Sequence, residues 1–331
     1  MKKLIFSVAL LSAALSASAE EHPLWMRYPA ISPDGTTIAF AYKGDLYSVS
    51  VNGGEARQLT THAAFDSHPV WSPDSKKIAF QSNREGSLDI FVIDAKGGAP
   101  TRLTTNSGSE TPIAFADNDH VLYSASLQPT AQSIIFGDNT FPQIYKVSTK
   151  GGRPELFSTL TMENISIAKN GDILYHDKKG YEDPWRKHQK SPIARDIWLK
   201  SNGKFAKQTT FAGEDRSPVW TSDEKSFFYL SEQDGTFNIY RRSLNSSSDK
   251  QITHHKGNPV RFLTASSADL LCYGYDGEIY TVKEGGEPQK VNISITTDND
   301  APSLVRQIKS WGATEISVSP DAKEVAFVMH G

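Results

Sequence analysis

The side chains best suited to binding chemistry lie in two stretches of this 331-residue chain, 126–143 and 176–195. The second stretch carries an aromatic ring among basic groups: Trp185, Arg186, Lys187, His188, Lys190 and Arg195. The first stretch contributes Phe136 and Phe141. Basic and aromatic groups on loops can hold carboxylates, so the expected ligands are peptide carboxylates or other acidic groups.

No catalytic or metal chemistry is predicted from the other motifs. The chain has no Gly-x-Ser-x-Gly nucleophile elbow, and the Ser-x-x-Lys matches at Ser222 and Ser247 fall in predicted loops. Other loops carry His and acidic residues without zinc or calcium spacing: His62, Asp66, His68, Glu110, Asp215, His254 and His255. The acids Asp66, Glu110 and Asp215 recur at one position of a repeat, which predicts a structural hydrogen bond in each copy. We expect no catalytic residue, cofactor or metal.

The elements that position these loops form an internal repeat. The turn Ser32-Pro33-Asp34-Gly35 and the apolar segment Ile38-Ala39-Phe40 return from Ser72 and again from Ser319, with degenerate copies between. A strand signal such as Asp45-Leu46-Tyr47 follows each copy and leads into a Gly-Gly or Asn-Gly turn. Pro-Asp and Gly-Gly pairs are typical of tight turns between antiparallel strands. Each unit therefore predicts four short strands.

Six such units in residues 28–293 average about 44 residues, the length of a four-stranded propeller blade. The predicted fold is all-β, a six-bladed β-propeller of four-stranded antiparallel blades that spans residues 20–293. The first unit begins with an innermost strand and the sixth ends with an outermost one. We therefore expect six complete blades, and ring closure through side-chain packing between blades one and six.

Residues 294–331 are predicted to be a linker and the incomplete start of a second β-propeller. The segments 314–318 and 324–328 have the pattern of a blade's first hairpin. An isolated hairpin is marginally stable in water, so the chain is expected to be a fragment of a longer protein. The alternative is that this hairpin packs as a stunted seventh blade.

The N-terminus has the pattern of a cleavable signal peptide. Lys2 and Lys3 precede an apolar run, and small residues flank a cut after Ala19, so residues 1–19 are predicted to be removed and the protein to be periplasmic. The remaining chain has 33 basic and 38 acidic residues, a net charge near −5, which does not favour a nucleic-acid partner. No later segment is predicted to span a membrane, and the lone Cys272 is expected to be buried.

One complete copy of the repeat resembles a known family. Pro69-Val70-Trp71-Ser72-Pro73-Asp74, followed by Asp89-Ile90-Phe91, Gly97-Gly98 and Arg102-Leu103-Thr104, is similar to the propeller repeat of TolB and several peptidases. The layout of signal, six blades, linker and new repeat most resembles the N-terminal region of periplasmic tricorn-type serine peptidases. That resemblance implies a non-catalytic propeller that gates or scaffolds peptide access, with the catalytic residues in a distant core. It implies peptides or downstream peptidase domains as partners, and it is compatible with a homo-oligomer of the full-length protein.

Two other functions stay open from the sequence. One is a non-enzymatic periplasmic TolB-like propeller that binds a protein or a glycan. The other is the propeller of a prolyl-oligopeptidase-type peptidase. The two long insertions could also cap one mouth of the pore, or contact another domain, instead of binding a ligand.

Overall fold

The computed structural model describes residues 23–126, 141–181, 188, 190–244, 248–296 and 312–329, and every regular element in these ranges is a β-strand. The strands are β1 Arg27–Ile31, β2 Thr37–Tyr42, β3 Asp45–Ser50, β4 Gly54–Glu55, β5 Arg57–Gln58, β6 Asp66–Trp71, β7 Lys77–Glu85, β8 Ser87–Asp94, β9 Thr101–Arg102, β10 Glu110–Asp117, β11 His120–Ala125, β12 Gln143–Ser148, β13 Glu155–Ser158, β14 Met162–Ile167, β15 Ile173–Asp177, β16 Ile197–Ser201, β17 Lys204–Lys207, β18 Asp215–Trp220, β19 Ser226–Ser231, β20 Asn238–Ser243, β21 Asp249–Gln251, β22 Arg261–Ala265, β23 Leu271–Tyr275, β24 Glu278–Val282, β25 Gln289–Lys290, β26 Ile293–Ser294, β27 Ala313–Val318 and β28 Val325–Met329.

Six four-stranded antiparallel sheets form the blades of a propeller, and each blade is built from consecutive strands. From the innermost strand outwards, the blades are β1-β2-β3-β5, β6-β7-β8-β9, β10-β11-β12-β13, β14-β15-β16-β17, β18-β19-β20-β21 and β22-β23-β24-β25. The predicted fold class and the six complete blades are therefore confirmed. The innermost strands of neighbouring blades contact one another around the whole ring, including β1 with β22.

The Pro-Asp turns are held by one repeated set of hydrogen bonds. The hydroxyl of Ser32 donates to Asp34 Oδ1 at 2.6 Å and accepts from the backbone N–H of Thr37 at 3.0 Å. In blade two, the hydroxyl of Ser72 donates to Asp74 Oδ1 at 2.7 Å in the same way. Short polar side chains satisfy turn backbone groups in this manner, which explains why the Ser-Pro-Asp pattern marks the first hairpin of blades one and two.

A threonine after the outermost strand anchors that strand to its neighbour. The hydroxyl oxygen of Thr60 accepts a hydrogen bond from the backbone N–H of Leu46 at 2.9 Å. The same bond recurs in three further blades, from Ile90 to Thr104, from Ile197 to Thr209 and from Ile239 to Thr253. These outer strands are only two to four residues long in the corresponding blades, so the threonine extends the ladder where the strand ends.

The core lies between adjacent blades and is centred on their second strands. Ile38, Ala39 and Phe40 of β2 are all fully buried, because one face of the blade packs on each neighbour. The equivalent residues of blades two and five, including Phe80 and Phe228, are equally buried. One blade cannot cover both of its own faces, so stability requires the closed ring.

Closure between blades one and six uses the predicted side-chain packing and also a backbone contact that the sequence did not predict. Side chains of both blades share one apolar cluster that includes Phe40 and Cys272. In addition, β26 pairs in parallel with β4, with Ile293 opposite Gly54. The backbone N–H of Gly54 donates to the carbonyl of Asn292 at 2.9 Å. We call this pairing of β4 with residues 292–294 the latch.

The ring extends slightly beyond residue 293. Ser294 takes part in the latch, and Ile295 is buried in the cluster shared by blades one and six. The boundary between the two compact units of the chain falls after Thr296. Three residues assigned from the sequence to the linker therefore belong with the ring.

The second unit contains one antiparallel hairpin, β27-β28, built like the first two strands of a blade. Its turn repeats the hydrogen bond from a serine hydroxyl to an aspartate, here from Ser319 to Asp321 Oδ1 at 2.7 Å. Large apolar side chains on this hairpin are exposed within the described residues, among them Ile316 and Phe327. A hairpin with this exposure has the properties expected of an unfinished blade.

Candidate functional site

Both long insertions begin and end on one face of the ring, which we call the insertion face. Loops from the outermost strand of one blade to the innermost strand of the next open on this face, together with loops between second and third strands. The segments 126–143 and 176–195 belong to the second class, in blades three and four. The Pro-Asp and Gly-Gly turns lie on the opposite face.

Four of the predicted ligand-binding residues, Phe136, Trp185, Arg186 and Lys187, lie outside the described residues. Phe141, near the start of β12, is 39% exposed on the insertion face. Ligand binding by this set of side chains stays a prediction.

His188 is exposed and lies against blade five. Its backbone N–H donates to Glu232 Oε2 at 2.6 Å, and the Glu232 carboxylate is buried directly after β19. A segment that belongs to blade four therefore crosses to its neighbour. The imidazole of His188 is 61% exposed and remains accessible from solvent.

Arg195 is buried, with only 4% of its surface exposed, and it links blades four and five. Its Nε donates to Glu163 Oε2 at 2.9 Å, and its Nη1 lies 3.4 Å from Glu214 Oε1. Arg216 extends the network, because its Nε donates to Glu214 Oε2 at 2.8 Å. The sequence placed Arg195 among accessible basic groups, whereas the structure shows its guanidinium engaged in internal ion pairs.

His176 supports the same network as a neutral imidazole. The backbone N–H of Ser217 donates to His176 Nδ1 at 3.1 Å, which leaves Nε2 to donate to Glu163 Oε2 at 3.0 Å. Burial lowers the pKa of His176. Burial alone would raise the pKa of Glu163, but the hydrogen bond from His176 and the charge of Arg195 hold that pKa well below its ordinary value.

The repeated acids at the start of inner strands are buried, but they do not share one hydrogen-bond pattern. Asp66 Oδ2 accepts from Arg84 Nη2 at 2.7 Å. The carboxyl groups of Glu110 and Asp215 lie beside hydroxyl groups, that of Thr104 for Glu110 and those of Thr209 and Ser231 for Asp215. The predicted structural hydrogen bond in each copy stays a prediction for these two residues. Burial raises the pKa of both carboxyl groups to about 7.

We expect the free energy of unfolding to fall between about pH 6.5 and about pH 8.5 because of these two acids. The pKa is about 7 for Glu110 and Asp215 in the ring but about 4 in an unfolded chain. The folded state therefore binds more protons in this window, and ionisation of both groups removes about 1–2 kcal/mol of stability. Desolvation lowers the pKa of His68 to about 4 in the ring, whereas an unfolded histidine has a pKa of about 6.5. This histidine therefore opposes the two acids at the lower edge of the window, and the acid variant below isolates their contribution.

Urea unfolding across this pH range checks the slope. The variant Glu110→Gln/Asp215→Asn should show a flatter pH dependence than the wild type. The control Glu287→Gln changes an exposed carboxylate and should keep the wild-type slope. A wild-type stability that rises with pH in this window would contradict the assignment.

Each innermost strand contains a register shift at the same position, near the insertion face. In chain order, the residues at this position are Tyr28, His68, Pro112, Asn164, Ser217 and Phe262. Five of them have positive φ, between 49° and 58°. Non-glycine residues rarely adopt this conformation, and it costs on the order of 1–3 kcal/mol at each position. The prolines in these strands were a usable sequence signal, because proline inside a strand indicates an edge or a bulge.

Three of these six side chains are aromatic, lie on consecutive blades and touch one another. The ring of Tyr28 lies 3.7 Å from that of His68 and 4.7 Å from that of Phe262, between centroids. Tyr28 thus contacts the equivalent residues of both flanking blades. Because the innermost strands surround the propeller axis, side chains that meet across three of them lie beside that axis; all three are half-buried, and Tyr28 also packs against the buried cluster of blades one and two. From the sequence, His68 was considered only as a metal ligand, and its spacing did not favour that role.

Residues that the sequence raised as possible nucleophiles or metal ligands have structural surroundings. The hydroxyl of Ser222, in one Ser-x-x-Lys match, donates to Asp269 Oδ2 of the next blade at 2.7 Å. Within the described ranges, no three His, Cys, Asp or Glu side chains are grouped to hold a metal ion. The same ranges contain no helix that could cross a membrane. Cys272 is buried, as predicted, and burial raises the pKa of its thiol.

Known proteins with similar sequences are tricorn proteases. The chain is 25% identical over 280 residues to "Tricorn protease homolog 1" of Streptomyces coelicolor, a match that covers 82% of this chain and 25% of that protein. It is 26% identical over 283 residues to the tricorn protease of Thermoplasma volcanium, covering 81% of this chain and 26% of the relative. The chain therefore spans about a quarter of the length of these curated relatives.

A solved structure of the tricorn protease superimposes on this chain with a TM-score of 0.71 at 20% identity, over 92% of this chain and 29% of that one. At this identity the superposition supports the fold alone. The family model of the tricorn protease N-terminal β-propeller domain matches residues 23–288, which is nearly the whole described ring. The chain belongs to the tricorn protease N-terminal β-propeller family.

Proposed function

We propose that this chain is the non-catalytic propeller segment of a secreted tricorn-like serine peptidase. In this proposal, peptides pass through the central channel of the ring on their way to or from peptidase domains encoded beyond residue 331. The observation that carries the proposal is the family match across residues 23–288 in a chain about a quarter as long as its curated relatives.

The ring architecture supports a role in gating or scaffolding. Blades that each complete their own four strands form a rigid wall around one channel, and rigid scaffolds position loops for binding. The insertions of blades three and four begin and end on the insertion face, and His188 is exposed. Peptide carboxylates are the ligands that this basic and aromatic set would hold.

The periplasmic location is part of the same proposal. Its support is the sequence of residues 1–19, where two lysines, an apolar run and small residues before Ala19 form a signal-peptide pattern. A mature protein beginning at Glu20 would leave the whole ring intact, because the first strand starts at Arg27.

The partners are proposed to be peptides and the peptidase domains of the same longer protein, which could assemble as a homo-oligomer. Continuation of the chain into a second propeller would cover the hairpin of Ala313–Val318 and Val325–Met329. The third strand of a blade pairs with the second, and so residues following 331 would pair with β28.

Capture of the native protein tests this function. An antibody raised against the ring is used on fractionated source cells, and the captured polypeptide is sized, sequenced from its N-terminus and assayed for peptide hydrolysis. We expect a periplasmic polypeptide several times longer than 331 residues, beginning at Glu20, that hydrolyses peptides through a serine outside this sequence. The purified 331-residue chain should hydrolyse none.

Two results would overturn the proposal. One is a captured protein that contains this ring but no peptidase domain and binds a protein or glycan without hydrolysis, which would favour a TolB-like binding propeller. The other is peptide turnover by the purified ring that a single serine substitution abolishes.

A further inference from the structure

The six equivalent positions at the inner-strand register shifts divide the channel wall into two unlike halves. Phe262, Tyr28 and His68 occupy the consecutive blades six, one and two, whereas Pro112, Asn164 and Ser217 occupy blades three to five. In a six-bladed ring, blades one and four lie across the axis from each other. Each aromatic side chain therefore faces a small or polar one.

Local backbone chemistry does not explain the aromatic half. Tyr28 and Phe262 have φ of 53° and 58°, a conformation in which bulky side chains are outliers. Asn164 has nearly the same φ at the equivalent position, and asparagine is among the residues that tolerate it best. The backbone conformation alone would favour asparagine or glycine at the positions with positive φ. Strained residues of this kind cluster at ligand-binding and active sites.

The three rings form a continuous apolar surface near the insertion face. The ring of Phe262 also packs on Gly274, where an added Cβ would lie only 3.2 Å from it. Trp25, just before the first strand, is 71% exposed and lies over Gly277, in the loop between the second and third strands of blade six.

We propose that Tyr28, His68 and Phe262 form an aromatic collar in the central channel that binds an aromatic or large apolar side chain of an extended peptide. Asn164, which is exposed across the axis, would face the peptide backbone. This inference rests on the proposed passage of peptides through the ring and adds a side-chain preference to it. Offset and edge-to-face ring contacts supply the attraction.

Fluorescence anisotropy with two dye-labelled five-residue peptides tests the collar. The peptides are identical except for a central Phe or Ala. The wild-type protein should bind the Phe peptide about five- to ten-fold more tightly, the range that one aromatic contact provides. Phe262→Asn and Tyr28→Asn keep a residue suited to positive φ, as in blade four, and should reduce the preference to less than about two-fold.

Matched controls separate the collar from general packing. Phe205→Asn removes an aromatic side chain, 44% exposed, from an outer strand and should leave the preference unchanged. Thermal unfolding confirms that each variant is folded, and His68→Asn replaces either collar variant that is not. Equal binding of both peptides by the wild type, or an unchanged preference in the folded collar variants, would overturn this inference alone. Binding of neither peptide would overturn the proposed passage of peptides, and the collar with it.

Discussion

Replacing Gly53 with alanine is expected to destabilise the ring by about 2–4 kcal/mol and to open the contact between blades one and six. Gly53 has φ of +83°, and a Cβ there would lie less than 3.0 Å from the carbonyl oxygen of Asn292. That oxygen accepts the latch hydrogen bond from the N–H of Gly54. The variant therefore adds left-handed strain and also displaces the backbone that closes the ring.

Gly97 provides a matched control, because it occupies the same turn in blade two with the same φ of +83°. A Cβ at this position would meet only the side chains of Arg57 and Leu59, at 3.4 and 3.7 Å. Gly97→Ala should therefore cost about 1 kcal/mol, the backbone strain alone. Urea unfolding of the two variants measures the difference. Equal losses of stability in Gly53→Ala and Gly97→Ala would show that the Asn292 carbonyl does not clash with a Cβ at position 53.

Removing the guanidinium of Arg195 should cost about 3–5 kcal/mol of stability. Arg195→Met keeps much of the side-chain volume but leaves the buried carboxylate of Glu214, 1% exposed, with one cation fewer beside it. Glu163 would lose the bond from Arg195 Nε at 2.9 Å. A buried charge without its partner is far more costly than the pair is stabilising, so most of the loss comes from the carboxylates left behind.

A double variant and a surface control test this explanation by urea unfolding. Arg195→Met/Glu214→Gln also removes the carboxylate charge that loses its ion pair with Arg195, and should recover part of the stability lost in the single variant. Lys250→Met breaks a surface ion pair with Glu284 and should cost less than about 1 kcal/mol, since Lys250 is 64% exposed. A loss below about 1 kcal/mol for Arg195→Met would contradict the buried network.

The blades were predictable because the signals that define them are local. Ser32 and Asp34 are two residues apart, and their hydrogen bond determines the turn without reference to the rest of the chain. The turn then places Ile38-Ala39-Phe40 in a buried second strand. Repetition of this unit fixed the number of blades, and complete final strands predicted that no blade is shared.

The latch was not predictable, because nothing in its sequence differs from other blades. Gly53-Gly54 and Gly97-Gly98 are the same turn motif, yet only the first meets a strand from the other end of the ring. The parallel pairing exists because closure brings β26 beside β4. A contact between the two ends of the ring has no signal in residue spacing.

The candidate site was predicted only in part for a similar reason. Arg195 was recognised as basic and adjacent to an insertion, but its partners are distant in sequence: Glu163 lies in the innermost strand of the same blade, and Glu214 directly precedes the innermost strand of blade five. The aromatic residues Tyr28 and Phe262 lie more than two hundred residues apart and meet only when the ring closes. Aligning the innermost strands by their register shifts would have placed them together.

Cross-linking across the latch is the most direct test of the closed ring. Glu55 and Ser294 are paired in register, and neighbouring strands lie about 4.7–4.9 Å apart, within the Cα separation of a disulfide. Cys272 is buried with a raised thiol pKa and should not interfere. A control protein with Glu55→Cys and Lys150→Cys places the thiols in blades one and three. After mild oxidation, Glu55→Cys/Ser294→Cys is predicted to be a monomer with an internal disulfide, while both introduced thiols of the control stay free. Two free introduced thiols in the latch variant would contradict the closed six-bladed ring.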